Sequence, residues 1–130
     1  MFTVIRGDRV PKSPCGLPTS QGVRAGDFVF LSAQCSTDDQ GQIVSDTFEA
    51  EMRRTFENVR KVLAGAGLDL SDVVQVRCYL AEQADLAEFN RVYQEILAEP
   101  YPVRTTTVGC LPYAVSIAVD VVAYAGAAST

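Results

Sequence analysis

Two stretches of helical periodicity, separated by one of strand periodicity, constrain this chain more than any other feature. From about Thr47 to Ala66, residues Phe48, Met52, Phe56, Val59, Val62 and Leu63 recur at spacings near three and four, which puts them on one face of a long helix. Gly65 and Gly67 fit a stop at its C-terminal end. Residues Val73 to Leu80 then switch to period two. Val74, Val76, Cys78 and Leu80 are predicted on one face, with Gln75, Arg77 and Tyr79 on the other. A second helix is predicted from about Ala84 to Ala98, with Leu86, Phe89, Val92, Tyr93, Ile96 and Leu97 as its inward stripe. Pro100 and Pro102 end it. Two helices that are apolar on one side need a sheet to bury that side against.

The remaining strands come from shorter signals. Residues 2 to 5 suggest a short edge strand, and residues 11 to 22 are too rich in Pro and Gly for regular structure. Gly26-Asp27 supplies a turn before a strand at Phe28–Leu31. The small residues of Ser32-Ala33-Gln34-Cys35 end that strand and let a ligand or another backbone come close, before a turn at Asp38-Asp39-Gln40-Gly41. Val103 to Val108 and Val115 to Ala123 complete the set, with a turn at Gly109 to Tyr113. The tail from Gly126 to Thr130 is small and polar and is expected to fray. The order β, β, helix, β, helix, β, β implies an α+β fold, a mixed sheet with two helices on one face. Tyr79, Thr105, Thr107, Ile117 and Val119 are predicted on the other face, neither clearly polar nor covered. Such a face on a small domain implies self-association into a closed symmetric oligomer.

Composition removes whole classes of function. A chain of 130 residues, 48% hydrophobic and 21% charged, is read as one globular domain. A net charge of -5 with no basic cluster argues against nucleic acid, whose binding rests on basic contacts to phosphate. No segment approaches the roughly 20 apolar residues that span a bilayer. Met1 to Gly7 carry no export signature, so Cys15, Cys35, Cys78 and Cys110 are read as reduced thiols of a cytoplasmic protein. With no histidine, every histidine-based acid/base scheme and most transition-metal sites are excluded, and no cofactor motif takes their place.

One cation stands out. The run Pro100-Tyr101-Pro102-Val103-Arg104-Thr105-Thr106-Thr107 sets Arg104 among prolines, hydroxyls and apolar residues where the second helix gives way to a strand. A guanidinium is permanently charged and carries a rigid fork of donors, suited to two-point capture of a carboxylate or phosphate. Arg104 is therefore the leading candidate for meeting a ligand, against the alternative of an intersubunit salt bridge.

Several stretches, taken in order, resemble the Rid/YjgF family of small trimeric imine/enamine deaminases. They are Phe30-Leu31-Ser32-Ala33-Gln34, the helix end from Asn58 to Leu68, Asp72-Val73-Val74-Gln75-Val76, Phe89-Asn90-Arg91-Val92-Tyr93, Pro102-Val103-Arg104-Thr105-Thr106, and Leu111-Pro112. Together they run from roughly residue 16 to 124. The resemblance implies a chorismate-mutase-like α+β domain, a homotrimer whose sheets close a barrel, and ligand clefts between subunits. It also implies hydrolysis of a reactive imine, in equilibrium with an enamine such as 2-aminoacrylate, to a 2-keto acid and ammonia, with no metal or organic cofactor. The arginine matching Arg104 would clamp the substrate carboxylate. Water would be oriented by a backbone carbonyl on the arginine strand and a glutamate on the last strand.

Carried over by position, the resemblance names Arg104, Thr106 and Asp120 as catalytic candidates, and Thr19, Ser32 and Asn90 as cleft-lining ones. Thr106 stands where the family has cysteine, and Thr19 where it often has a loop tyrosine. Counted from Pro112, the family glutamate falls on Ala118; Asp120 lies two residues on, hence on the same strand face. Simpler roles compete with each of these. Asp120 would pair with a surface cation, Thr106 would pack in the sheet, and Asn90 would cap or bridge backbone. Cys78 is read as core. Cys15, Cys35 and Cys110 would act as nucleophiles only with lowered pKa values. Tyr93 and Tyr113 are read as packing or rim residues.

Overall fold

A computed structural model describes residues 1–126, and the tail expected to fray lies, beyond Gly126, outside them. Seven strands form one sheet: β1 (Thr3–Val4), β2 (Gly22–Ala25), β3 (Phe28–Leu31), β4 (Gln34–Cys35), β5 (Val73–Leu80), β6 (Val103–Val108) and β7 (Ile117–Tyr124). Two helices, α1 (Phe48–Gly65) and α2 (Leu86–Ile96), pack on one side of it. The strand order is β1-β2-β3-β7-β5-β6, with β4 paired to β7. β5 and β6 run parallel, joined by α2 as a crossover, while the other pairs are antiparallel. The mixed α+β architecture with both helices on one face is as expected.

Local chemistry sets the helix ends. Thr47 caps α1, its Oγ1 accepting from the Ala50 N–H at 3.2 Å, and Glu49 and Glu51 occupy the first turn beside the positive end of the helix dipole. The helix stops at Gly65, and Gly67 takes a φ of 74° in the turn that follows. Met52, Phe56, Val59, Val62 and Leu63 from α1, with Phe89 and Val92 from α2, bury completely or nearly so against Val76, Cys78, Leu80, Ile117 and Val119. Burial of each such side chain contributes roughly 1.5–3 kcal/mol.

Some sequence expectations are corrected. Ile117 and Val119 face the helices, because β7 pairs with β5 so that Cys78 meets Val119 and Leu80 meets Ile117. The uncovered face instead carries Ala118, Asp120 and Tyr124 from β7, beside Tyr79 and Arg77 of β5 and Phe28 of β3. The pairing of β5 and β7 is irregular between Val73 and Gln75, so Val73 is buried and Val74 is exposed, the reverse of strict alternation. Gly22–Ala25 is a strand where none is expected, starting at the last residue of the expected loop, and the last strand begins at Ile117, not Val115. Phe28, Phe30 and Tyr124 are all more than two-fifths exposed on or beside the open face.

Candidate functional site

Arg104 is positioned by the crossover. Parallel pairing sets it level with Val76 on β5, so its side chain lies on the helix side of β6, over α2. Its guanidinium carbon sits 5.1 Å from the Phe89 ring centroid and 4.9 Å from that of Tyr93. Nη2 donates to Asn90 Oδ1 at 2.9 Å. Two aromatic rings and one amide therefore hold the guanidinium plane, and among the described residues no carboxylate pairs with it. With Asn90, Tyr93, Gln94, Tyr101 and Pro102 it lines an open cavity of about 290 Å³. A comparably large cavity of about 310 Å³ lies at the far end of α2, but its cation, Arg60, is 3.4 Å from Glu57.

Asn90 belongs to this cavity, and its side chain does more than cap backbone: it orients the arginine. Thr106 shares the helix face with Arg104, level with Cys78, and its Oγ1 is buried without a partner among the described residues. Burial pushes the Tyr93 hydroxyl up to about 12, so it stays protonated at neutral pH.

Thr19 and Ser32 are not brought to Arg104. The Thr19 hydroxyl donates to Ser13 Oγ at 3.3 Å, and Ser32 Oγ donates to the Ser20 carbonyl at 2.6 Å, so both knit the loop that precedes β2. Neither lines the Arg104 cavity within one chain.

Asp120 also stands apart from Arg104. It lies level with Arg77 on the uncovered face of the sheet, opposite the side that carries Arg104. Arg77 Nε donates to Oδ1 at 2.8 Å and the Tyr79 hydroxyl donates to Oδ2 at 2.8 Å. The pairing of Asp120 with a cation is thus present, and direct contact between Asp120 and Arg104 in one chain is ruled out by the sheet between them. Ala118 lies two residues along on the same face, directly across from Tyr79. These two, with Ala33, Cys35, Cys110, Leu111, Tyr113 and Val115, line a second, largely apolar cavity of about 190 Å³.

The cysteines are free. Burial pushes Cys35 up to about 11 and Cys78 up to about 12, which leaves both as protonated thiols and argues against a nucleophilic role. Cys78 is core, as expected. Among the described residues no cluster of His, Cys, Asp and Glu has the makings of a metal site, and no helix is long and apolar enough to cross a membrane.

Sequence reasoning missed the aromatic platform under Arg104 and the Tyr79–Asp120 bond. Phe89 and Tyr93 read only as a core stripe; their i, i+4 spacing puts them on one helix face, but the parallel β5–β6 pairing that brings Arg104 over that face is set only by the fold.

Comparisons with known proteins agree with this fold. The sequence profile described as endoribonuclease L-PSP matches residues 14–125. A RutC family protein of Pyrococcus horikoshii is 37% identical over 126 residues, covering 95% of this chain and 98% of its own length. Mitochondrial protein mmf2 of Schizosaccharomyces pombe is 40% identical over 95 residues, 73% of this chain and 75% of that protein. Among solved structures, RidA from the Antarctic bacterium Psychrobacter superposes with a TM-score of 0.85 at 30% identity, covering 94% of this chain and 98% of that one. Escherichia coli TdcF, solved with bound serine, gives 0.81 at 29% identity, with 95% and 99% covered. The chain belongs to the YjgF/Rid family, the family of the endoribonuclease L-PSP profile.

Proposed function

We propose that this protein hydrolyses a small reactive imine or enamine carboxylic acid to a 2-keto acid and ammonia, with Arg104 capturing the carboxylate. One observation carries the reading: a guanidinium seated over the Phe89 and Tyr93 rings, oriented by Asn90, without a carboxylate of its own among the described residues, at the edge of an open cavity. A cation pre-ordered in this way spends little entropy when a carboxylate arrives. Serine bound to TdcF, a relative of the same fold, supports an amino-acid-like ligand for this chain. The net charge of -5 disfavours RNA as a substrate despite the endoribonuclease name of the profile.

The site is completed by a second copy. Arg104 lies on the helix side of the sheet, while Ala118, the position of the family glutamate, lies on the open side. Only Arg104 of a neighbouring subunit can face the Ala118 cavity, as the between-subunit clefts of a homotrimer would arrange. Exposed Phe28, Phe30 and Tyr124 supply the apolar surface for such an assembly. A cytoplasmic enzyme without a cofactor fits this chemistry.

Ala118 favours a second reading, a trimeric small-carboxylate binder without turnover, because an alanine cannot orient water. Freshly generated imines separate the two. Faster 2-keto acid release in the presence of the purified protein, lost in Arg104→Ala, supports the enzyme. Binding of a small carboxylate with no acceleration of any imine supports the binder.

A further inference from the structure

The cavity around Ala118 lacks the family acid but not a polar group. Tyr79 faces Ala118 across the β5–β7 ladder, at a Cβ separation of about 4.5–5.5 Å for directly opposed residues. Tyr79 is among the residues that line the 190 Å³ cavity. Its hydroxyl donates to Asp120 Oδ2 at 2.8 Å, and Asp120 is in turn fixed by Arg77 at 2.8 Å on Oδ1. Asp120 is 8% exposed, has both oxygens engaged and is not among the residues that line the cavity. With its proton committed to Asp120, the phenol oxygen keeps its lone pairs free to accept from a water.

We propose that Tyr79 is the catalytic residue that orients the hydrolytic water in place of the family glutamate, with Asp120 and Arg77 as positioning residues behind it. This rests on the deaminase reading, in which Arg104 of a neighbouring copy holds the carboxylate. Water oxygen bonds to the carbon of the protonated imine, and the C=N π pair moves to nitrogen. One water proton passes to the Tyr79 oxygen as the Tyr79 proton passes to Asp120. This leaves a neutral carbinolamine and a protonated Asp120. The proton returns by the same path to the amine nitrogen. The C–N bond then breaks, the hydroxyl proton goes to the departing ammonia, and the keto acid and an ammonium ion are left.

The phenol is suited to this relay because it is neutral at rest and already bonded to the carboxylate that takes its proton. Burial first, and then the hydrogen bond to Asp120, raise the Tyr79 hydroxyl above its ordinary value, so at neutral pH it is a neutral donor to the carboxylate. A carboxylate placed two residues too far along the strand thus acts through the ring beside it.

The test is steady-state imine hydrolysis by Tyr79→Phe, which keeps the ring and removes the hydroxyl. The expected result is a kcat about 100-fold lower or more, the usual share of general acid–base catalysis, with KM little changed. Adding Ala118→Glu to that variant restores the carboxylate at the family position and is expected to recover turnover. Asp120→Asn, which can still accept from Tyr79 but cannot take its proton, is expected to lower kcat in the same way, and it carries the test if Tyr79→Phe does not fold. A kcat for Tyr79→Phe close to wild type overturns the proposal, as does a loss that Ala118→Glu leaves unrestored. A wild-type protein that accelerates no imine overturns the deaminase reading first, and this proposal with it.

Discussion

Replacing Arg104 by lysine keeps the positive charge and removes the shape. The lysine ammonium is a point charge without a planar fork, so two-point capture of a carboxylate becomes one-point capture. One hydrogen bond to a charged group is worth about 1.5–3 kcal/mol. The stack on Phe89 at 5.1 Å and Tyr93 at 4.9 Å, which fixes the guanidinium plane, is also lost. Stacks of this kind contribute about 0.5–1 kcal/mol each at exposed sites. The total of about 2.5–5 kcal/mol corresponds to a roughly 60- to 4,000-fold weaker carboxylate affinity at 1.4 kcal/mol per tenfold. Calorimetric titration of both proteins with a small carboxylate such as pyruvate or benzoate measures this directly. Thermal melts should differ by about 10 °C or less, because Arg104 is solvent-exposed, holds no ion pair among the described residues and loses only the two stacks. A lysine variant that binds within about threefold of wild type would refute the account, since charge alone would then suffice.

Further predictions concern stability. Tyr93→Phe should leave stability unchanged or slightly raised in a denaturant melt, because the buried Tyr93 hydroxyl has no partner among the described residues and its removal relieves an uncompensated desolvation. Gly65→Ala should destabilise by about 1–3 kcal/mol despite alanine's better helix propensity. A Cβ there would lie 2.9 Å from methyls of both Ile5 and Val10 and 3.1 Å from the Arg6 carbonyl oxygen; an unchanged urea midpoint would count against that packing. Stability should fall as pH rises above about 9. Unfolded thiols ionise near 9, whereas Cys35 and Cys78 hold their protons until about 11 and about 12, so the folded state binds more protons across that window. Urea midpoints at pH 8 and pH 10 check the sign.

The parts of this molecule that were legible in the sequence are those where burial imposes a period. α1, β5 and α2 each have one face against the core, so Met52 through Leu63 and Phe89 through Leu97 announced themselves. β2 was invisible because Gly22–Ala25 is four residues long and half-exposed, with a glycine at its start. Strict alternation misplaced Val74 because an irregular pairing is a property of two strands together, not of either alone. Ile117 and Val119 were set on the wrong face for a related reason: the phase of β7 is decided by its register with β5, fixed only on folding.

At the site, Arg104 could be singled out because a lone arginine among prolines and hydroxyls is chemically conspicuous. Its neighbours could not. Whether Asp120 faces Arg104 depends on which side of the sheet each residue takes, and that follows from the parallel β5–β6 pairing and the antiparallel β5–β7 pairing. Tyr79 looked like an ordinary strand residue until that register set its ring beside Ala118 and its hydroxyl on Asp120.

The most direct test of the carboxylate reading is a crystal structure of the protein soaked with pyruvate or benzoate. Both carboxylate oxygens are expected on the Arg104 guanidinium, with the Ala118 and Tyr79 face of a second copy opposite. Arg104 bound instead to an acidic side chain of a neighbouring subunit, with the carboxylate elsewhere or absent, would contradict it.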